Sequence, residues 1–364
     1  MGPLDVFSAG TRAWFEGAFA APTPAQALAW PAIASGEHVL VQAPTGSGKT
    51  LAAFLYGIDR LNESPGEGLR LLYVSPLKAL NYDVERNLRG PLAGLGSQLS
   101  VGVRTGDTTQ KERREMLKTP PDVLITTPES LFLLLTSQGR EMLRSVRTLI
   151  LDEVHAVAGT KRGAHLALSV ERLERLVEEP LQRIALSATQ RPMEEIGKFV
   201  SGGRPIRLVD AGHRKELDLE VVVPVEDMRE LDSTASLSYP VPADGQEMDA
   251  GTEIGAKSIW PSIYPEILRL VEAHRSTIVF VNNRRLAERL ALRLNELARA
   301  GGAQENTAEI ARAHHGSLAR EQRLVVEEDL KAGRIPCLVA TSSLELGIDM
   351  GAVDLVIQVE SPKS

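Results

Sequence analysis

Cysteine is almost absent from this chain of 364 residues, where Cys337 stands alone. A single thiol excludes a disulfide framework and a zinc site built from cysteines. No apolar run is long enough to cross a bilayer, and residues 1–10 lack the basic stretch and apolar core of a secretory leader. We therefore expect a cytoplasmic protein without a membrane partner.

Aromatic residues are scarce, at 4% of the chain, and the formal net charge is −7. Few aromatic rings argue against a platform that stacks bases, and the negative total argues against a broad positive surface. A local basic cleft that binds the backbone of a nucleic acid remains compatible with both. The 43% of hydrophobic and 24% of charged residues are typical of a globular protein, and the length allows two domains.

The most informative stretch is a glycine-rich turn between the apolar run 39–41 and a helical pattern that begins at Leu51. The turn reads Ala43-Pro44-Thr45-Gly46-Ser47-Gly48-Lys49-Thr50. Between a strand and a helix, such glycines let backbone N–H groups surround a phosphate; Lys49 would reach the terminal phosphates and Thr50 would bind Mg²⁺. Because Ala43 stands where a glycine is usual, the pattern is a variant. A chance turn before an amphipathic helix is the alternative.

Gln26 lies one helix before this turn, after Phe19 and the segment Pro22-Thr23-Pro24. A glutamine amide can both donate to and accept from the edge of adenine. Gln26 is therefore a candidate for binding the base of ATP. An ordinary exposed glutamine is the alternative.

Short apolar runs alternate with helical patterns, such as 77–88 and 164–177, along the first two thirds of the chain. After the turn the runs are 71–74, 99–103, 123–125, 149–151 and 184–186. Their continuous apolar character is typical of strands that are covered on both faces of a parallel sheet. The alternation predicts an α/β fold with right-handed crossovers, in which ligands bind at the carboxyl ends of the strands.

Two carboxylates directly follow the run 149–151. Beside a phosphate loop, Asp152 is placed to contact Mg²⁺, and Glu153 is placed to polarise the attacking water. Acidic pairs are also common at helix starts, where the helix dipole stabilises them, and this is the alternative. The phosphate loop upstream favours the catalytic interpretation.

Hydroxyl-bearing segments close four other predicted strands. They are Ser75-Pro76-Leu77-Lys78, Arg104-Thr105-Gly106-Asp107, Thr126-Thr127-Pro128-Glu129 and Ser187-Ala188-Thr189. Helix starts of this kind bind phosphates, including those of a nucleic-acid backbone, and hydroxyls can hydrogen-bond a neighbouring loop. The alternative is that these segments are plain helix caps. For Ser187-Ala188-Thr189, the capped helix would be the one that starts at Met193.

The composition changes from about residue 225 to residue 257, where acidic residues, prolines and glycines accumulate, a few residues after the first domain ends near His213. We predict a first domain at 1–212, a linker with a flexible acidic insertion at 213–258, and a second domain at 259–364. The second domain repeats the strand–helix alternation without a phosphate loop. We expect it to contain a similar sheet with no nucleotide site of its own.

In this order, the segments resemble the motifs of superfamily-two helicases of the DExH type, which contain two RecA-like domains. The resemblance is to the Q motif at 19–26, motif I at 43–50, Ia at 75–80, Ib at 126–130, II at 152–155, III at 187–189, IV at 277–284 and V at 340–349. The wording at 260–265, 280–285 and 314–317 is similar to the large helicase-related (Lhr) family.

The resemblance implies two RecA-like parallel-sheet domains in tandem, the second of them truncated. It also implies an ATP-dependent helicase or translocase, since the Lhr family is known for 3′-to-5′ movement on single-stranded DNA and a link to DNA repair. The implied cofactors are ATP and Mg²⁺. The implied partner is single-stranded or partly duplex nucleic acid, with DNA favoured over RNA, and the oligomeric state stays open.

The resemblance assigns roles to individual residues. ATP would be bound by Gln26, Ala43, Pro44, Thr45, Gly46, Ser47, Gly48, Lys49 and Thr50, with Gly347 and Asp349 facing it from the second domain. Catalysis would involve Lys49, Asp152 and Glu153, and Mg²⁺ would be bound by Thr50 and Asp152. Hydrolysis would be coupled to the strand by His155, Ser187 and Thr189. The nucleic acid would be contacted by Ser75, Lys78, Arg104, Thr127, Asn282, Ser317 and Thr341.

One part of the family pattern does not occur before Ser364: motif VI, whose arginines stabilise the transferring phosphoryl group. Such an arginine is worth about 10³–10⁵ in rate. We expect this chain to bind ATP with Mg²⁺, to hydrolyse it poorly and not to unwind alone. Three hypotheses stay open: a nucleic-acid-dependent motor, a fragment that binds ATP and nucleic acid without unwinding, and a transporter-type ATPase, which the second alternating block disfavours.

Overall fold

The computed structural model describes residues 2–44, 46–76, 78–188, 191–212, 218–223, 259–300, 309–315, 317–318, 320–341 and 353–359. The chain divides into two compact units, Met1–Lys215 and Glu216–Ser364. Each unit contains one parallel sheet flanked by helices. The predicted α/β class with two RecA-like sheets is confirmed. Most of the predicted linker, and four predicted site residues (Thr45, Thr189, Gly347 and Asp349), lie outside the described residues.

The sheet of the first unit has seven strands in the order β3-β4-β2-β5-β6-β1-β7, and the paired strands are parallel. The strands are β1 (Val39–Gln42), β2 (Leu71–Val74), β3 (Val101–Arg104), β4 (Val123–Thr126), β5 (Thr148–Leu151), β6 (Gln182–Ser187) and β7 (Arg207–Asp210). The apolar runs predicted six of them. They missed β7, an edge strand in which Val209 is the buried residue, so that no apolar run marks it.

The described part of the first unit contains eight helices. They are α1 (Ala9–Ala18), α2 (Pro24–Ala34), α3 (Lys49–Glu63), α4 (Lys78–Gly94), α5 (Gln110–Lys118), α6 (Pro128–Leu135), α7 (Lys161–Leu176) and α8 (Met193–Ser201). Of these, α1 and α2 precede β1, and α3 to α8 each connect two successive strands. Short 3₁₀ helices lie at Gln138–Leu143 and Val154–Ala156. Among the described residues, no helix combines the length and apolarity that a membrane crossing requires.

Strand residues of the first sheet alternate between two hydrophobic cores, one on each face. In β1, Leu40 belongs to one core, whereas Val39 and Val41 belong to the other. Both faces are therefore covered, because successive side chains of a strand point to opposite sides. This explains why the strands are nearly continuous apolar runs in the sequence.

The second unit contains a smaller parallel sheet in the order β11-β8-β10-β9. Its elements are α9 (Trp260–Glu272), β8 (Thr277–Phe280), α10 (Arg284–Ala300), β9 (Ala311–His314), α11 (Arg320–Lys331), β10 (Cys337–Ala340) and β11 (Leu355–Gln358). Neighbouring residues of β8 again divide between two cores, with Ile278 in one and Val279 in the other.

Candidate active site at the carboxyl edge of the first sheet

The turn between β1 and α3 depends on two glycines. Gly46 and Gly48 have φ values of +76° and +77°, in the left-handed region that favours glycine. A β-carbon at position 48 would lie 2.7 Å from Nε2 of Gln26, whereas one at position 46 would meet nothing within 4 Å. The turn thus needs glycine at 46 for its backbone, and at 48 for its backbone and its packing.

The first residues of α2 and its cap contact this turn through hydrogen bonds. Thr23 caps the helix and shares a capping box with Gln26, whose Oε1 accepts from the Thr23 N–H at 3.0 Å. The Thr23 hydroxyl donates to the carbonyl of Ser47 at 2.7 Å, and Nε2 of Gln26 lies 3.4 Å from the carbonyl of Gly48. Gln26 is only 4% exposed, so the alternative of an ordinary surface glutamine is wrong.

Lys49 begins α3 and is buried, yet its ammonium has no short contact with any described residue. Nζ lies 3.4 Å from the carbonyl of Ala43 and 3.4 Å from Oε1 of Glu153. Within the described structure, the buried hydroxyl of Ser47 has no hydrogen-bond partner. A buried cation and an unused hydroxyl beside a glycine turn fit the phosphates of a nucleotide.

Asp152 follows β5 and is 5% exposed. The hydroxyl of Tyr73 donates to its Oδ2 at 2.5 Å, and the backbone N–H of Glu153 donates to its Oδ1 at 2.7 Å. Burial, and then the charge of Glu153, raise the pKa of Asp152 to about 6. A cation beside this carboxylate would offset both effects.

The donor set fits Mg²⁺ only when other ligands take part. The described residues include no cluster of three or more His, Cys, Asp or Glu side chains that could hold a metal ion. Mg²⁺ usually keeps several waters and binds through one or two carboxylates together with the phosphates of a substrate. The carboxylate of Asp152 and the hydroxyl of Thr50, the second residue of α3, are donors of the kind that such a site requires.

Glu153 has an unusual backbone for a residue with a side chain. Its φ of +48° is left-handed, and no other described non-glycine residue has a positive φ. Such strain costs about 1–3 kcal/mol and concentrates at functional sites. The acidic pair does precede a helix, but this is a 3₁₀ helix of three residues, and the Glu153 side chain makes no cap hydrogen bond to it. The strained backbone places its carboxylate between Lys49 and His155.

His155 joins the loop after β5 to the end of β6. Its Nδ1 accepts from the backbone N–H of Ala188 at 3.1 Å and lies 3.4 Å from the hydroxyl of Ser187. Because a backbone N–H only donates, this bond assigns the proton to Nε2, which faces Oε2 of Glu153 at 3.2 Å. Burial, and then the charge of Lys49, lower the pKa of His155. The ring is therefore the neutral Nε2–H tautomer near pH 7.

Ser187 lies at the end of β6, opposite Gln42 in the register with β1. Its hydroxyl donates to the carbonyl of Ala188 at 2.8 Å. The next helix, α8, begins at Met193 with Pro192 as its capping residue. The alternative that this segment is merely the cap of that helix is wrong.

The other half of the same edge carries the residues predicted to contact a nucleic acid. Thr127 caps α6 through the N–H of Ser130, so its hydroxyl is a helix cap as well as a candidate contact. Ser75 is buried at the end of β2, and the side chain of Lys78 lies outside the described structure. These positions follow β2 and β4, whereas the turn and the carboxylates follow β1 and β5.

Arg104, at the end of β3, lies near a second arginine, Arg113, that the sequence did not single out. Arg104 is 8% exposed, and its Nη1 has no hydrogen-bond partner among the described residues. Burial, and then the charge of Arg113, lower the pKa of Arg104. Nη2 of Arg113 donates to the carbonyls of Thr105 and Gly106. Two neighbouring guanidinium groups of this kind favour the binding of an anion. In the sequence, the cluster of basic residues at 111, 113 and 114 was the feature that could have pointed to Arg113.

Three predicted contact residues of the second unit follow neighbouring strands. Asn282 comes after β8, Ser317 after β9 and Thr341 after β10, and the sheet order β8-β10-β9 puts all three at one edge. Nη1 of Arg284 donates to the hydroxyl of Ser317 at 3.1 Å, which ties the first two of these loops together.

Comparison with known proteins gives this geometry a family. Residues 23–196 match the DEAD/DEAH box helicase family, and residues 262–364 match the helicase conserved C-terminal domain. The whole chain is 55% identical to a Mycolicibacterium smegmatis protein named Lhr helicase/probable uracil glycosylase. This chain belongs to the Lhr group of DEAD/DEAH-box helicases. The family resemblance predicted from the motifs is thereby confirmed.

Two further relatives support the assignment to the Lhr group. The Lhr helicase/uracil glycosylase of Escherichia coli is 50% identical over 99% of this chain. A structure of Mycobacterium smegmatis helicase Lhr, bound to single-stranded DNA and AMP-PNP, is 58% identical and superposes with a TM-score of 0.80 over 100% of this chain. This chain spans 25% and 26% of the two curated relatives and 45% of the chain in that structure.

Proposed function

We propose that the protein is an ATP-dependent helicase or translocase that acts on single-stranded or partly duplex DNA. One observation carries the proposal: Lys49 and Glu153 lie 3.4 Å apart beside the glycine turn, with Asp152 next to them. The Lhr structure with single-stranded DNA and AMP-PNP supports it. Movement in the 3′-to-5′ direction and a role in DNA repair are further parts of the proposal, and both rest on the family resemblance.

In this proposal the turn from Ala43 to Thr50 binds the phosphates of ATP, and the amide of Gln26 lies close enough to the turn to read the base. Lys49 neutralises charge on the terminal phosphates, while Thr50 and Asp152 hold Mg²⁺. Bound there, Mg²⁺ would neutralise the charge that develops on the β- and γ-phosphate oxygens.

Glu153 acts on the attacking water. Its carboxylate accepts the hydrogen bond that orients the water, and Lys49 and His155 fix the position of its two oxygens. His155 is bonded to the Ala188 backbone, so a shift at the end of β6 would reach Glu153 through a single ring. We assign the coupling role to His155 and Ser187 on this basis, and to Thr189 by family resemblance.

The single-stranded DNA would lie along the half of the sheet edge that is formed by the carboxyl ends of β2, β4 and β3. Ser75, Thr127 and Arg104 follow these strands, and Lys78 follows Ser75 in sequence. Asn282, Ser317 and Thr341 are assigned to the same strand by resemblance, as are Gly347 and Asp349 to the nucleotide. These hydroxyls, amides and cations suit contacts to phosphates rather than to bases.

Binding of a labelled single-stranded DNA to the full chain tests the proposal. AMP-PNP with Mg²⁺ should tighten DNA binding, and DNA should tighten AMP-PNP binding by the same factor, because coupling between two sites is reciprocal. The same measurement with single-stranded RNA tests the preference for DNA. If neither ligand changes the affinity for the other, the motor proposal is wrong.

Direction is tested with duplexes that carry a single-stranded tail on one end. A 3′-to-5′ motor separates a duplex with a 3′ tail and leaves one with a 5′ tail intact. Hydrolysis and strand separation should be measured on this chain and on a C-terminally extended chain. The expectation of weak hydrolysis by the 364 residues alone is contradicted if both chains hydrolyse ATP at the same DNA-stimulated rate.

A further inference from the structure

Tyr73 is a buried polar residue for which neither the motifs nor the family resemblance provides a role. It lies in β2, opposite Ile150 in the register with β5, and its side chain is 0% exposed. Its ring centroid is 5.1 Å from that of Phe54 in α3. Burying a tyrosine hydroxyl in a sheet core is costly unless it is hydrogen-bonded. Here it donates to Oδ2 of Asp152 at 2.5 Å.

We infer that Tyr73 is a positioning residue for Asp152, whose carboxylate it orients toward Mg²⁺, an inference that rests on the proposed ATPase function. The backbone N–H of Glu153 holds Oδ1, and the Tyr73 hydroxyl holds Oδ2. With one donor on each oxygen, rotation of the carboxylate about its bond to the β-carbon is restrained. The remaining lone pairs then keep a fixed direction, as metal-binding carboxylates require.

Tyr73 also connects Asp152 to the segment that begins at Ser75 and is predicted to contact the nucleic-acid strand. The side chain of Ser75 lies near the Tyr73 hydroxyl, and both residues are buried, so Ser75, Tyr73 and Asp152 form a continuous polar series in the core. On its other side, the Tyr73 ring packs against α3, the helix that begins at Lys49. A bound nucleic-acid strand that displaced Ser75 would therefore shift the Asp152 carboxylate, which is the proposed Mg²⁺ ligand.

Replacing Tyr73 by phenylalanine removes one oxygen and keeps the ring that packs on Phe54. The readout is the Mg²⁺ concentration that gives half-maximal binding of a fluorescent ATP analogue to the full chain. We expect this concentration to rise about 10–100-fold, the usual effect of losing a partner of a metal ligand. Binding of the same analogue in EDTA should not change, because the hydrogen bond and the ring contact that Tyr73 makes are with Asp152 and Phe54, which lie outside the turn.

Tyr56→Phe is the matched control. Tyr56 lies in α3 but lines a cavity with Arg147 and Gln182, which are at the amino ends of β5 and β6. Its replacement should leave the Mg²⁺ dependence unchanged. An unchanged Mg²⁺ dependence in Tyr73→Phe overturns the inference, and so does a loss of binding that is equal with Mg²⁺ and in EDTA. If the unaltered chain shows no Mg²⁺-dependent nucleotide binding, it is the proposed function that fails.

A second measurement applies if Tyr73→Phe does not fold. The five tyrosines of the chain can be replaced by 3-fluorotyrosine, and the resonance of Tyr73 can be assigned by elimination with phenylalanine at the other four. This resonance should shift when Mg²⁺ is added to the nucleotide-bound chain, since the ion would act on the carboxylate to which the Tyr73 hydroxyl donates. A resonance that does not move contradicts the inference.

Discussion

Nζ of Lys49 lies 3.4 Å from Oε1 of Glu153, and both side chains are buried. Burial penalises each charge, and the partner compensates for that penalty. Removing one side chain would leave the other charge buried without a partner. Tests of this site therefore need replacements that keep the shape of the side chain.

Glu153→Gln is such a replacement. It removes the carboxylate that would accept a proton from the attacking water and keeps the volume beside Lys49. We expect hydrolysis to fall about 10²–10⁴-fold while nucleotide binding is retained. Single-turnover hydrolysis and binding of a fluorescent ATP analogue measure the two effects, and exposed Glu16→Gln is the control. Unchanged hydrolysis in Glu153→Gln would remove Glu153 from the chemistry.

Gly48→Ala tests the packing of the turn against Gln26. The alanine would have to adopt the left-handed φ of +77° that Gly48 has, and its β-carbon would lie 2.7 Å from Nε2 of Gln26. Gly36→Ala is matched, because its φ is +81° and nothing lies within 4 Å. We expect both variants to lose about 1–2 kcal/mol of unfolding free energy from strain. Gly48→Ala should lose more unfolding free energy than Gly36→Ala and should also bind nucleotide more weakly. Equal behaviour of the two variants in urea unfolding and in nucleotide binding would show that the contact with Gln26 is unimportant.

Arg113→Gln tests the pair of arginines at the end of β3. If Arg104 and Arg113 bind one phosphate of the strand, loss of a cation should reduce the salt dependence of DNA binding. For a single strand, the slope of log K against log salt changes by about 0.7 for each phosphate contact. Arg113→Lys should keep the slope, and exposed Arg114→Gln on the same helix should not alter it. An identical slope in Arg113→Gln contradicts the assignment.

Glu171 should make stability depend on pH in acid. Hydrogen bonds from Arg204, and then from the buried Arg183, lower the pKa of Glu171 to about 2. Because the folded pKa lies below the ordinary value of 4.5, the stabilisation is complete above pH 4.5 and is lost as the pH falls toward about 2. The side chain is 39% exposed, so we expect Glu171→Gln to cost only about 1 kcal/mol.

Urea unfolding of the chain and of Glu171→Gln over a pH series measures this contribution. The difference in unfolding free energy should be constant from about pH 7 to about pH 5 and should shrink below 4.5. Exposed Glu16→Gln provides the comparison. A difference that grows as the solution becomes more acidic would show that Glu171 is not stabilised by these arginines.

Local patterns predicted much of the first unit. The turn at 43–50, the carboxylates at 152–153 and six of the seven strands were visible because each depends on a few consecutive residues. The edge strand β7 and the role of Arg113 were not visible. In β7 the single buried residue is Val209, so no continuous apolar run marks this strand, and the neighbourhood of Arg104 and Arg113 depends on how the loop after β3 folds back.

The sequence by itself determined the fold class, the family and the phosphate-binding turn, because these depend on local spacing and on motif order along the chain. Only the tertiary structure decided that Tyr73 contacts Asp152, 79 residues away, and that His155 accepts from Ala188. Such contacts depend on which strands are neighbours and in what register, and buried apolar runs are compatible with many strand orders. The order β2-β5-β6-β1 is therefore what turns separate motifs into one site.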